Sequence, residues 1–483
     1  MPRTLRPSRA SRRLRATALV AGVCALAVAP AAAQGPRTPH DSLARDVLRE
    51  LIGINTAPSA AQESAGALAV AQRLRDAGFA ERDVAVIGPT PRFRNVVATL
   101  RGRDTAAAPI LLMAHLDVVE AKREDWSFDP FTFREEDGWY YGRGAADNKA
   151  GVATLVANFI RWKREGWVPA RDVVLVLTCD EETTAEHGMI WLLANVPRLR
   201  TAAFALNTDG GGVSLADDGT PRLHRIQSSE KMYVTYRLEV RNPGGHSSLP
   251  RKDNAIYSLA RALSRLAAYQ FPVRYDAVTR TAFQRMAALE RGQLAQDLAA
   301  AGRGATTGPA IARLSGDPSY NGNLRTTCVA TMLEGGHAEN ALPQLAAATV
   351  NCRVFPGVPA DSVEATLRRV VADTTVRIVQ TYAPVPSPAS PVRRDVFATV
   401  ERLTRAFWPT ATVIPYMENG ATDGLYLRNV GVPVYGIAAL RDDPSGTRAH
   451  GRDERVSAKA FFESTDFWYR MVGELASQPM LLP

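Results

Sequence analysis

From about residue 41 onward the apolar positions switch between two spacings. Leu43, Val47 and Leu51 recur at helical intervals, and a second helix is predicted over residues 65–77, ended by Gly78. Residues 110–114 form a short continuous apolar run, as a strand covered on both faces requires. Val152, Val156, Phe159 and Ile160 make one stripe of a helix over 148–165, which Gly166 ends. Further buried strands are predicted at 173–177, 204–206 and 432–437. Strands that alternate with helices imply a mostly parallel sheet.

Between about 228 and 384 the pattern changes. A strand at 233–240 is followed by the turn Asn242-Pro243-Gly244-Gly245 and a helix at 254–267. One long helical stretch is predicted at 282–301, strands at 325–333 and 346–354, a helix at 360–371 and a strand at 376–381. Without the helical insertion this is the strand–helix–strand–strand–helix–strand order of a ferredoxin-like unit. The run P-V-P-S-P-A-S-P at 384–391 reads as a Pro-rich linker. The fold class expected is therefore α/β: a mostly parallel-sheet domain in two parts, 34–227 and 385–483, interrupted by a smaller ferredoxin-like α+β domain at 228–384.

Composition changes this picture little. A chain of 483 residues, 46% hydrophobic and 22% charged, is ordinary for a globular protein, and its length suits two or three domains. The formal charge of +9 is misleading, because residues 1–33 hold six Arg and no acid, which leaves +3 on the rest. No Lys/Arg stripe with interleaved aromatics follows, so nucleic acid is not an expected partner. Residues 1–33 read as a signal peptide: an Arg-rich start, an apolar run at 16–29, and Ala31-Ala32-Ala33 before Gln34. That run is too short for a comfortable membrane span, so no stable span is expected after cleavage. A periplasmic or secreted location is expected, and Ser11-Arg12-Arg13 suggests the twin-arginine route. Cys179, Cys328 and Cys352 remain in the mature chain. The last two could pair if their strands are neighbours, but buried free thiols are the favoured expectation.

The candidate chemistry sits where predicted strands end. His115 closes one strand within Ala-His-Leu-Asp, and Asp117, two residues on, shares its face and is placed to hold the second imidazole nitrogen. Asp147 lies in G-R-G-A-A-D-N-K (142–149) just before a helix; a glycine loop with Asp there would repel a pyrophosphate. Asp180, Glu181 and Glu182 follow another strand, Asp209 a third, and His450 lies near the C-terminus. Alone, each has a structural reading: a satisfied histidine, a helix cap, a solvated acidic loop, a polar turn. Together they collect at the strand ends where open α/β sheets bind ligands. Two imidazoles, several carboxylates and no thiolate suit zinc, or less selectively cobalt or manganese.

At this point a resemblance is visible. M-A-H-L-D-V-V, Y-G-R-G-A-A-D-N-K-A-G, C-D-E-E-T and N-P-G-G-H-S-S-L-P, in this order, resemble the dinuclear zinc peptidase/amidohydrolase family. That family includes aminoacylase, glutamate carboxypeptidase, succinyl-diaminopimelate desuccinylase and carnosine dipeptidase. The resemblance covers nearly all of the mature chain and implies that the two-part domain, 34–227 and 385–483, is catalytic and that the inserted one, 228–384, is a lid. It implies two Zn2+ per subunit, one on His115, Asp147 and Asp209, the other on Asp147, Glu182 and His450. Glu181 falls on the family's general base and Asp117 on the residue that orients His115. His246 matches a lid histidine that, in dimeric relatives, reaches the neighbouring subunit's site; a homodimer through the lid is implied. Asn340, Arg353 and Gly420 match substrate-contacting positions.

The activity implied is metal-assisted amide hydrolysis. Asp209, where the aminoacylase-type members carry Glu, is typical of dipeptidase, aminopeptidase and larger carboxypeptidase-S-like members, which the insertion also resembles. An exported exopeptidase acting on dipeptides or short peptides is the favoured expectation. An N-acyl amino acid amidohydrolase on the same site is the alternative, and a non-catalytic periplasmic binding protein the remote one.

Overall fold

A computed structural model describes residues 38–183, 188–382 and 384–477. The expected signal peptide lies outside these residues. No described helix is long and apolar enough to cross a membrane.

The larger sheet has nine strands. Its order is Val84–Ile87, Asn95–Leu100, Val173–Thr178, Ile110–His115, Phe204–Asn207, Val434–Gly436, Pro221–Glu230 and Thr412–Glu418, with Gly212–Leu215 paired beside Pro221–Glu230. Ile110–His115 runs parallel to both its neighbours, and Phe204–Asn207 runs parallel to Val434–Gly436. The strands at one edge, Val84–Ile87 and Asn95–Leu100, are antiparallel. Every residue of Ile110–His115 and Val173–Thr178 is buried, as their unbroken apolar runs require. Helices Pro39–Gly53, Lys149–Arg164 and Ala458–Ser477 cover one face and bury Phe159, Trp162 and Trp468 against it. Each such side chain contributes about 1.5–3 kcal/mol of transfer free energy. The indole N–H of Trp468 is satisfied, donating to Ile437 O at 3.0 Å.

The second sheet has four antiparallel strands in the order Thr327–Gly335, Leu345–Val354, Met232–Arg241, Val376–Tyr382, the ferredoxin-like arrangement. Helices Ala255–Ala268 and Ala360–Val371 cover it, the first capped by Asn254, whose side chain accepts the N–H of Ile256. Two expectations fail here. The single helical stretch at 282–301 is two helices, Ala277–Leu289 and Gly292–Gly302, because Arg291 is extended and Gly292 takes a left-handed φ of 64°. Cys328 and Cys352 are not free thiols. They stand directly opposite each other on paired strands and form a disulfide, while Cys179 is buried and free.

A small sheet escapes the sequence reading. Arg455–Ser457 pairs with Trp139–Tyr141, which pairs with Arg134–Glu136. This brings the segment after His450 against the glycine loop that carries Asp147.

Candidate dinuclear metal centre

Parallel register assembles the site. His115 stands beside Thr178, and Met113 beside Asn207, so His115, residues 179–182 and Asp209 leave the same edge of the sheet. His115 is buried, with Nε2 3.0 Å from Asp147 Oδ1 and 4.0 Å from Asp209 Oδ2. His450 Nε2 lies 3.2 Å from Asp147 Oδ2 and 2.9 Å from Glu182 Oε1. Each oxygen of Asp147 thus faces a different imidazole, the disposition a bridging carboxylate needs. Two ligand groups result, His115/Asp147/Asp209 and Asp147/Glu182/His450, the donor atoms of each lying within 4.8 Å of one another. Glu181 adjoins both, forming a further group with His115 and Glu182. A nitrogen and oxygen donor set with one shared carboxylate fits two divalent ions such as zinc.

Asp117 faces His115 with both its backbone and its carboxylate. The Nδ1 of His115 lies 3.1 Å from the backbone oxygen of Asp117, whereas the carboxylate is 3.6 Å away. A carbonyl oxygen only accepts, so Nδ1 carries a proton and Nε2 faces the acids. The Asp117 carboxylate also accepts the backbone N–H groups of Glu181, at 3.1 Å, and Glu182, at 2.9 Å. It positions the acidic turn.

The charges reflect crowding of acids in a dry place. Burial pushes the Asp209 carboxyl up to about 8, reinforced by Asp147. Glu181 is raised well above the carboxylate range by burial, then by Asp209, Asp423 and Glu182, against the opposing pull of His115. Burial alone would raise Asp147, but its hydrogen bonds with His115 and His450 hold it low. Burial likewise disfavours the charged form of His115, yet Asp117, Asp147, Glu181 and Asp209 outweigh it and lift the imidazole well above its ordinary value. His450 is lifted to about 10 by hydrogen bonds to Asp147 and Glu182. An excess of carboxylates over imidazoles in low dielectric is the field that bound cations neutralise.

A cavity of about 470 Å³ opens beside this cluster. Glu181, Glu182 and His450 form one wall, and Arg353, Tyr233, Tyr382, Val385, Leu425, Tyr426 and residues 420–423 line the rest. Arg353, on the lid strand Leu345–Val354, stacks over Tyr233 with its guanidinium 4.7 Å from the ring centroid. Among the described residues no acid lies within ion-pair distance of it. Arg353 and Gly420 therefore line the cavity, whereas His246 and Asn340 do not. His246 lies exposed on a two-stranded ribbon, Gly245–His246 against Ala341–Leu342, and Ser247 N–H donates to Asn340 O.

Glu454 stands out by no pattern in the sequence. Fully buried, it accepts the N–H groups of Gly144, Ala146 and Asp147 and pairs with Arg143 at 2.7 Å. It holds the loop that presents Asp147. Its only signal was an acid four residues after His450. Asp423, buried and accepting the Thr178 hydroxyl at 2.6 Å, is likewise unmarked, as is the tyrosine wall.

Two ligand groups that share a carboxylate, at the strand ends of a mostly parallel sheet interrupted by a ferredoxin-like unit, define a dinuclear metal-dependent hydrolase. Residues 111–474 match peptidase family M20/M25/M40, and the chain belongs to that family. It is 28% identical over 393 residues to the human N-fatty-acyl-amino acid synthase/hydrolase PM20D1, covering 77% of this chain and 75% of that protein. With human aminoacylase-1 it shares 25% identity over 453 residues, covering 93% of this chain and 98% of the other. The fold is similar to that of the di-peptidase Dug1p from Saccharomyces cerevisiae, with a TM-score of 0.67, 15% identity, and coverage of 91% and 98% of the two chains.

Proposed function

We propose that the chain is an exported dizinc exopeptidase that releases the C-terminal residue of dipeptides or short peptides. The observation that carries this reading is the placement of Glu181 between the two ligand groups and a cavity whose one lining Lys or Arg, among the described residues, is Arg353. The two metals, held by His115, Asp147, Asp209, Glu182 and His450, would supply Lewis acidity and lower the pKa of water. Glu181 accepts the proton of the attacking water and returns it to the leaving nitrogen, a role its burial-raised affinity for protons suits. The planar fork of Arg353 takes the substrate's free carboxylate. His246 acts in trans, stabilising the oxyanion in a partner's site within a homodimer. Its exposure on the lid ribbon and its absence from its own cavity wall support this. The Cys328–Cys352 bridge supports export, since disulfides persist in oxidising compartments.

A second reading, N-acyl amino acid hydrolysis, is favoured by the apolar side of the cavity. Val385, Ala421 and Leu425 stand with Tyr233, Tyr382 and Tyr426 where an acyl chain would lie. The resemblance to the human N-fatty-acyl-amino acid synthase/hydrolase supports it. Both readings require a free carboxylate. The test is turnover of dipeptides, their C-terminal amides and N-acyl amino acids by zinc-loaded protein. Dipeptides turned over and amides refused is the expected result; equal rates on blocked substrates would refute the role of Arg353.

A further inference from the structure

Glu230 is fully buried, lines no part of the cavity, and ties its own strand to two other segments, the linker at Ser387 and residues 422–428. It ends the strand Pro221–Glu230, one residue before the chain enters the lid strand Met232–Arg241. Its Oε2 accepts the N–H and the hydroxyl of Thr422, each at 3.1 Å, and the side-chain amide of Gln227 at 2.8 Å. Its Oε1 accepts the Ser387 hydroxyl at 3.2 Å and pairs with the buried guanidinium of Arg428.

These partners have a common meaning. Ser387 lies in the linker by which the chain returns from the lid, and just beyond it Ser390 N–H donates to Ser228 O at 2.7 Å. Both chain crossings between the two sheets therefore meet at this carboxylate. Thr422 belongs to the cavity-lining segment 420–423, and Arg428 to the helix Gly424–Asn429 that continues it. Gln227 in turn packs against Gly210, where a Cβ would fall 2.2 Å from its Oε1, so the network also backs the loop that carries Asp209. Removing two charges from water is costly, and a buried pair is weak evidence for stability, so the meaning of this one lies in the segments it joins. Arg428 Nη2 also donates to the Ser387 hydroxyl at 3.4 Å, and its Nε and Nη1 have no hydrogen-bond partner among the described residues, so every hydrogen bond of this guanidinium lies within the cluster.

We propose that Glu230 is a positioning residue that clamps segment 420–423 to both crossings between catalytic sheet and lid, and thereby sets where substrate lies without touching metal or proton transfer. The kinetic consequence rests on the hydrolase reading above; the mechanical one does not. In Glu230→Gln, amide hydrogen exchange over residues 419–424 accelerates about tenfold or more, while exchange in strand Ile110–His115 stays at the wild-type rate. Metal content by mass spectrometry equals that of wild type. KM for a dipeptide or N-acyl amino acid rises about tenfold with kcat within about threefold, the pattern of lost ground-state positioning. Arg428→Lys, which keeps the charge but loses the planar fork, gives the same pattern more weakly and replaces the first variant if that does not fold. Unchanged exchange over 419–424 in the folded variant overturns the clamp, as does acceleration spread evenly over the chain. Faster local exchange with unchanged KM overturns the link to substrate. A wild-type protein inert to every amide substrate would sink the hydrolase reading instead, and exchange alone would then decide the clamp.

Discussion

Glu181 and Glu182 are neighbours in sequence with different surroundings in space. Glu182 meets His450 at 2.9 Å, while Glu181 faces the cavity and is held by burial in its protonatable range. Glu181→Gln should therefore lower turnover by about 10²–10⁴-fold and leave metal content unchanged. Elemental analysis beside a progress curve checks both, and full activity would remove Glu181 from proton transfer. A second residue sets acid stability. His224 is fully buried between the rings of Trp408 and Phe467, with Nδ1 2.7 Å from the Thr404 hydroxyl and Nε2 without a partner. Burial, with Arg225 nearby, lowers its pKa to about 3. The unfolded chain takes a proton near 6.5 and the folded one resists it, so stability falls as pH drops from 6.5 towards 3. Between pH 7 and 5, wild type should lose about 2 kcal/mol more than His224→Gln in urea unfolding with chelator present. Parallel losses would show that His224 contributes nothing.

At the scale of elements, the small sheet of Arg134–Glu136, Trp139–Tyr141 and Arg455–Ser457 does more for the site than its size suggests. It brings Glu454 beneath residues 142–147, where one carboxylate gathers three backbone N–H groups and Arg143. Without that carboxylate the loop loses its anchor and Arg143 keeps a buried charge with no counter-ion. Glu454→Ala should be destabilised by about 3–5 kcal/mol. Its metal affinity should fall about 10–100-fold although no ligand has been removed. Competition with a chelator, alongside thermal unfolding, measures the two effects, and wild-type affinity in a folded variant would contradict the anchoring role.

For the whole molecule the open question is what meets the lid. Its sheet ends in the edge strand Thr327–Gly335, which exposes Val329 (62%), Met332 (61%) and Leu333 (69%). An apolar edge with unpaired backbone groups is a template for another strand, and we propose a second copy of this strand as its partner in the proposed homodimer. Val329→Lys with Leu333→Lys should halve the mass seen by light scattering and lower turnover, because His246 then has no partner site to enter. A double variant that stays dimeric would place the interface elsewhere.

Local pattern in the chain was enough to foresee the parallel sheet, the ferredoxin-like order and the residues that gather at the strand ends. Buried strands announce themselves as short apolar runs, and a histidine or acid that ends such a run is conspicuous because solvation alone does not require it there. What local pattern could not reveal were partners chosen by distance. Glu454 meets Gly144 from 310 residues away, and Glu230 meets Thr422 across 192. Asp117 gives His115 a carbonyl oxygen beside its carboxylate, and Cys328 faces Cys352 only because two strands pair in that register. Periodicity records which face of an element is buried; hydrogen bonds and ion pairs act over about 3 Å, so only the packed chain decides which polar groups come that close.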